Sequence, residues 1–320
     1  MHQTTGRWRL GLLLSLTTVS MWGVLPIVLK LLLAHMDAAT INWYRFLIAA
    51  PVVGIYLAAS ARFPTVKSLS TNARWLLLIA VVGLAGSYLL FLLSLNLVSP
   101  GTAQVVIQLA PIMLMAGGLL FFGERFKLRQ WVGVLVLALG LGLFFNHRLV
   151  EMFSGLGTQT SGVLMVVVAS ACWAAYALAQ KQLLRHLTSN QVMFLLYCAS
   201  MLLFWPWARP SAIFELNGFA LGLLLLASIN TLVAYGAFAE ALNHWQATRV
   251  SAILAITPLL TLSFAEIYSR WFPDRLASEN LGALALTGAI LVVGGSIVTA
   301  MGGRRNSTKK MQRKQANQVS

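Results

Sequence analysis

The chain has 320 residues, of which 58% are hydrophobic and only 10% charged, with mean hydropathy +0.78 and a formal net charge of +15. A soluble domain carries roughly a quarter charged residues, so this composition excludes an ordinary globular protein and indicates one that spans a membrane several times. The positive charge by itself points to nucleic acid, but its placement along the chain excludes that partner.

A bilayer span needs roughly 20 mainly apolar residues. Ten such runs are predicted, at 10–33, 40–59, 75–97, 101–122, 131–146, 162–183, 191–208, 218–242, 247–269 and 281–301. Arg7 and Arg9 precede the first run, which is too long for a secretory h-region and lacks a cleavage site, so it reads as a retained signal anchor. Trp22 lies deep in this run, away from the headgroup belt where tryptophan usually sits. The second run contains Arg45, a charge that costs about 2.5–3.5 kcal/mol to insert and therefore needs a reason. Tyr88 falls in the third run. The fourth carries Gln104 and Gln108 one turn apart, then Pro111, which frees a backbone carbonyl. Glu124 opens the following loop among Arg125, Lys127 and Arg129, as a charge clamp between spans.

The second half repeats the first. Gly11, Trp22 and Lys30 recur as Gly162, Trp173 and Lys181, 151 positions on. Tyr88, Phe91, Leu95 and Asn96 recur as Tyr235, Phe238, Leu242 and Asn243, and Pro111 as Pro258, 147 positions on. Five spans per half put the second copy upside down relative to the first, an arrangement found in alternating-access transporters. The expected organisation is a cytoplasmic N-terminus at 1–9, repeats at 10–147 and 162–302, an extracytoplasmic connector at 148–161 and a basic cytoplasmic tail at 303–320. With both termini in the cytoplasm, seventeen basic residues fall inside and five outside, as the positive-inside rule requires. The six basic residues of the tail suit anionic lipid. The fold class is therefore an all-α polytopic membrane protein of ten transmembrane helices in two inverted five-helix repeats.

Ordered along these repeats, Trp22 and Trp173, Arg45, the run from Pro111 to Gly123-Glu124-Arg125 with Gly133 and Gly140, and Pro258 with Gly288 and Gly295 resemble the drug/metabolite transporter superfamily in its EamA-type branch. The similarity covers nearly everything but the tail. It implies an inner-membrane secondary transporter that exports small organic metabolites, such as amino acids, or drugs, with protons as a candidate coupling ion. Two features depart from the pattern: Leu196 stands where a counterpart of Arg45 would be, and the second half lacks a Gly-Glu pair, inserting Phe272-Pro273-Asp274 and Ala277-Ser278-Glu279 instead.

Trp22, Tyr88, Gln104, Gln108, Trp173 and Tyr235 are the expected lining of a central substrate pocket, with Pro111 and Pro258 breaking its helices. Ordinary helix packing explains each aromatic equally well. Arg45, Glu240 and Glu266 are the gating or coupling candidates. Arg45 and Glu266 lie at matched depth and either pair with each other or share a substrate's charged group near the outer gate, or part company, Arg45 snorkelling and Glu266 pairing with Arg270. Glu240 binds a coupling proton, pairs with Arg249 or simply reaches the interface. Cys172 and Cys198 lie within spans as small apolar residues. The five histidines lie outside the spans or at their ends, and neither an HExxH nor a Walker-type GxxxxGK[ST] occurs. No enzyme activity, metal or cofactor is expected; the partners are a small-molecule substrate and the lipid bilayer, and the sequence carries no signal for oligomeric state. A lipid or amphiphile flippase and a non-transporting membrane scaffold fit the same hydropathy.

Overall fold

The computed structural model describes residues 7–65, 69–122, 127–146, 157–245, 247–279 and 281–302. Helices follow one another along the chain: α1 (Trp8–Leu32), α2 (Ala38–Ala59), α3 (Thr71–Ser94), α4 (Pro100–Val106), α5 (Leu109–Phe122), α6 (Leu128–Phe144), α7 (Thr158–Leu183), α8 (Ser189–Phe204), α9 (Gly218–His244), α10 (Ala247–Leu254), α11 (Thr257–Trp271) and α12 (Ala283–Gly302). Two 3-10 turns, Trp205–Trp207 and Pro210–Glu215, link α8 to α9.

Seven helical segments are long and apolar enough to cross a bilayer: α1, α2, α3, α4 with α5, α7, α9, and α10 with α11. The apolar helices α6 and α12 are shorter, and α8 has 16 residues. Large apolar side chains such as Ile55, Leu120, Phe121, Leu135 and Leu139 face outward, which is stable only in lipid. The chain is a polytopic all-α membrane protein.

Capping side chains set where the helices begin. Asp37 accepts the Thr40 N–H at 3.0 Å, Ser70 the Ala73 N–H at 3.3 Å, Thr188 the Gln191 N–H at 3.4 Å and Asn217 the Ala220 N–H at 2.9 Å. Each satisfies one of the N–H groups that a helix start leaves without a partner. The runs predicted at 101–122 and 247–269 are each broken in two. Proline 111 cannot donate to the carbonyl of Ile107, and Pro258 cannot donate to that of Leu254. The chain tightens instead into three-residue bonds: Ala110 N–H to Ile107 O at 2.9 Å, and Leu259 N–H to Ile256 O at 3.0 Å. Thr257 Oγ1 donates to the freed Leu254 carbonyl.

Packing runs α1 against α9, α3 against α7, α2 against α8 and α6 against α12. The α6–α12 crossing is set by glycine. A Cβ on Gly140 would lie 2.6 Å from Val292 N and 2.8 Å from Gly288 O; one on Gly295 would lie 2.6 Å from Gly133 O. Backbones approach this closely only where no side chain intervenes. Gly83 does the same between α3 and α7, its Cβ position 2.7 Å from the Cys172 carbonyl.

Candidate functional site

Aromatic side chains from both halves meet near the middle of the bundle. Tyr88 of α3 donates its hydroxyl to that of Tyr235 of α9 at 3.4 Å. Trp22 of α1 stands edge-on to Tyr235 with ring centroids 5.3 Å apart, and 5.9 Å from Phe238. Phe46 of α2 lies 5.0 Å from Tyr88 and 5.8 Å from Tyr197 of α8. Such ring pairs add about 0.5–1.5 kcal/mol each beyond the area they bury. Trp22, Tyr88, Trp173 and Tyr235 all keep part of their surface exposed although they sit within helix pairs. Trp22, Tyr88 and Tyr235 are thus brought into one cluster, while Trp173 rests its ring on Tyr176 at 6.3 Å.

Below this cluster the two broken helices touch. Gln108 Nε2, in the gap between α4 and α5, donates at 3.4 Å to the Ala255 carbonyl in the gap between α10 and α11. The gap thus exposes a carbonyl and a side chain reaches it, which explains how two helices break inside an apolar bundle. Gln104 is half-buried one turn earlier. The prolines differ in setting: Pro258 is buried and Pro111 exposed.

Arg45 is the most unusual residue in the bundle. It is 3% exposed, so it does not snorkel to headgroups. Nε donates to Thr231 Oγ1 of α9 at 3.1 Å, and Nη1 to Asn42 Oδ1 at 3.1 Å. Its guanidinium carbon lies 4.6 Å from the Tyr88 ring centroid. Thr231 passes its own proton to the Ala227 carbonyl at 3.0 Å, which leaves its oxygen free to accept from Arg45. Among the described residues no carboxylate forms an ion pair with Arg45. Burying a cation costs several kcal/mol even after relaxation, and a ring face worth about 2 kcal/mol with two neutral acceptors offsets only part of that.

The other charged candidates lie elsewhere. Glu266 pairs with Arg270 Nε at 2.8 Å and accepts the Ser278 hydroxyl at 2.7 Å, with its side chain 41% exposed. It is not brought to Arg45. Glu240 lies 2.9 Å from His244 Nε2 and is 53% exposed, a contact the sequence did not suggest. Glu124 and its basic neighbour Arg125 lie outside the described residues, as do the tail and most of the connector.

Sequence reasoning missed Asn42, Thr231 and Tyr197 around Arg45. Asn42 was within reach, since it stands three residues before Arg45 on the same helix face. Tyr197 is the copy of Phe46 at the 151-residue spacing. Thr231 gave no local signal. The inserted stretch before α12 also acquires a role: Glu279 accepts the Gly101 N–H at 2.8 Å and so ties the loop after α11 to the start of α4. At the same end of the bundle the 3-10 turns cover α2, with Tyr44 donating to the Pro210 carbonyl at 2.6 Å and Arg209 N–H to Thr40 Oγ1 at 2.9 Å. Among the described residues no group of His, Cys, Asp and Glu is placed to hold a metal ion.

Residues 9–146 and 160–301 each match the model of the EamA-like transporter family. The chain is 43% identical over 297 residues to YhbE, an inner membrane transporter of Escherichia coli described as uncharacterized, covering 92% of both chains. It is 39% identical to a transporter of Haemophilus influenzae, over 92% of this chain and 95% of that one. A probable amino-acid metabolite efflux pump of Salmonella typhimurium is 24% identical, over 93% and 97%. A crystal structure 17% identical in sequence, covering 93% of this chain and 99% of its own, superposes with a TM-score of 0.62 and shares the fold.

Proposed function

The chain belongs to the EamA-like transporter family, and from that premise we propose that it exports small organic metabolites by alternating access between two inverted five-helix repeats. It is a multi-pass inner-membrane protein and a secondary transporter of small organic molecules, not an enzyme. The finer reading takes ten spans, both termini in the cytoplasm, and repeats at 10–147 and 162–302.

One observation carries it: residues related by the repeat spacing meet one another. Tyr88 bonds Tyr235, Gln108 bonds Ala255, and Phe46 packs on Tyr197. Residues at equivalent positions of two copies touch only near an axis that exchanges the copies. The helix pairs agree, since α1 on α9 becomes α7 on α3 when the copies are exchanged, and α5 on α7 becomes α11 on α1. So do the caps, Asp37 with Thr188 and Ser70 with Asn217. Asn230 donates to the Met21 carbonyl where its copy, Gly83, lies against the Cys172 carbonyl. An interface built this way has two related packings, one opening to each side, which is what alternating access needs.

In this reading Trp22, Tyr88, Gln104, Gln108, Trp173 and Tyr235 line the pocket, and the breaks at Pro111 and Pro258 let its walls bend. The naming of the Salmonella relative as a probable amino-acid metabolite efflux pump favours metabolites over lipids as cargo. Proteoliposomes loaded with a bacterial metabolite extract test it: release of water-soluble solutes above protein-free liposomes is expected. Scrambling of a labelled lipid without solute release would favour a flippase, and neither would favour a scaffold. Membrane-impermeant labelling of cysteines placed at His2 and Ser320 tests the topology, with both expected to react only from the cytoplasmic side.

A further inference from the structure

We propose that Arg45 and Asn42 form the anchor for a single carboxylate on the transported solute, so that the cargo is a monoanionic or zwitterionic carboxylic acid. The inference rests on the transport reading above and names its substrate class.

The argument starts from unspent donors. Arg45 carries a full charge that its two neutral partners do not balance, and its Nη2 has no acceptor among the described residues. Asn42 is fully buried, and among the described residues its Nδ2 has no hydrogen-bond partner. The orientation of that amide is forced: arginine only donates, so the Asn42 atom facing Nη1 at 3.1 Å must be oxygen, and the NH2 must point away. A buried amide N–H left unpaired beside a buried cation is costly twice over, and an anion relieves both costs at once. Among the described residues no second cation bonds into the cluster, so the charge matches one negative group rather than the two of a phosphate monoester.

The repeat supplies an internal control. The copies of Arg45, Asn42 and Thr231 are Leu196, Met193 and Leu84, and Leu196 and Leu84 are fully buried. Helix packing at this place in the fold is therefore satisfied by apolar side chains. The polar set occurs once, between α2 and α9, and packing does not require it. The partly exposed ring of Tyr88 joins the two sites: one face holds the guanidinium carbon at 4.6 Å and its hydroxyl meets Tyr235, which carries Trp22, so the anchor adjoins the aromatic cluster.

The test uses proteoliposomes containing the full chain, loaded with a bacterial metabolite extract supplemented with aliphatic and aromatic carboxylic acids, each paired with its primary amide. Wild-type protein is expected to release acids over their amides by about tenfold or more, the size of one or two charge-assisted hydrogen bonds. Arg45→Gln abolishes that preference, Arg45→Lys restores part of it, and Asn42→Met reduces it by a few-fold. Equal release of acid and amide by wild type, or an unchanged preference in folded Arg45→Gln, overturns the anchor. If Arg45→Gln does not fold, an unchanged preference in Asn42→Met overturns it. No release of any solute by wild type sinks the transport reading, and the anchor with it; release confined to neutral or cationic solutes sinks the anchor alone.

Discussion

Gly140 and Gly142 stand two residues apart on α6 and are expected to respond in opposite directions to the same substitution. A Cβ on Gly140 would sit 2.6 Å from Val292 N and 2.8 Å from Gly288 O, whereas one on Gly142 would meet nothing within 4 Å. Ordinary contact begins near 3.4 Å, so Gly140→Ala requires about 0.6–0.8 Å of extra separation. Both obstacles are backbone, which no rotamer change can move; α6 and α12 must part along the crossing. Overpacking costs about 1–3 kcal/mol, and a rigid obstacle puts this site at the upper end. Replacing a helical glycine by alanine returns about 1 kcal/mol of backbone entropy at either position. Gly140→Ala is thus expected to destabilise by about 2 kcal/mol and Gly142→Ala to stabilise by up to about 1 kcal/mol. Unfolding of the purified protein by SDS titration, followed by intrinsic fluorescence, measures the gap of about 3 kcal/mol. If Gly140→Ala is as stable as Gly142→Ala, the close approach of α6 and α12 is refuted.

Three further outcomes are expected. Combining Trp22→Ala with Trp173→Ala removes ring surface from the proposed pocket and is expected to lower solute efflux from overproducing cells at least several-fold; an extracellular metabolite profile equal to wild type would remove those residues from the proposal. Glu266→Gln leaves efflux unchanged, because its exposed pair with Arg270 lies away from Arg45; a loss of transport in proteoliposomes would return Glu266 to the site. If Glu240, the acid that faces His244, carries a coupling proton, Glu240→Gln abolishes the response of efflux to an imposed pH gradient while release down the solute's own gradient persists. An undiminished response to the gradient would take Glu240 out of proton coupling.

Much of this was legible in the sequence because it is local. Hydropathy located the described α-helices to within a few residues, since a buried or lipid-facing helix must be apolar over most of its length, although only seven segments are long and apolar enough to cross a bilayer. Prolines 111 and 258 marked the two breaks, since an imide nitrogen has no proton to give. Of the residues matched by the 147-residue spacing, the fold sets Tyr88 against Tyr235, whereas Trp22 and Trp173, matched at 151, stand apart on Tyr235 and Tyr176.

The chain alone therefore determined residence in the membrane, the order of the helices and the duplicated register, all of which follow from backbone hydrogen bonding and apolar transfer along contiguous segments. Tertiary structure decided the fate of each charge. Arg45 and Glu266 have matched depth in the sequence, yet one points inward to Thr231, 186 residues away, and the other outward to Arg270 one turn on. Depth is a property of position along a helix, while the direction a side chain faces depends on which helix packs beside it. Only the packed bundle leaves Arg45 and the amide of Asn42 with donors that find no acceptor among the described residues.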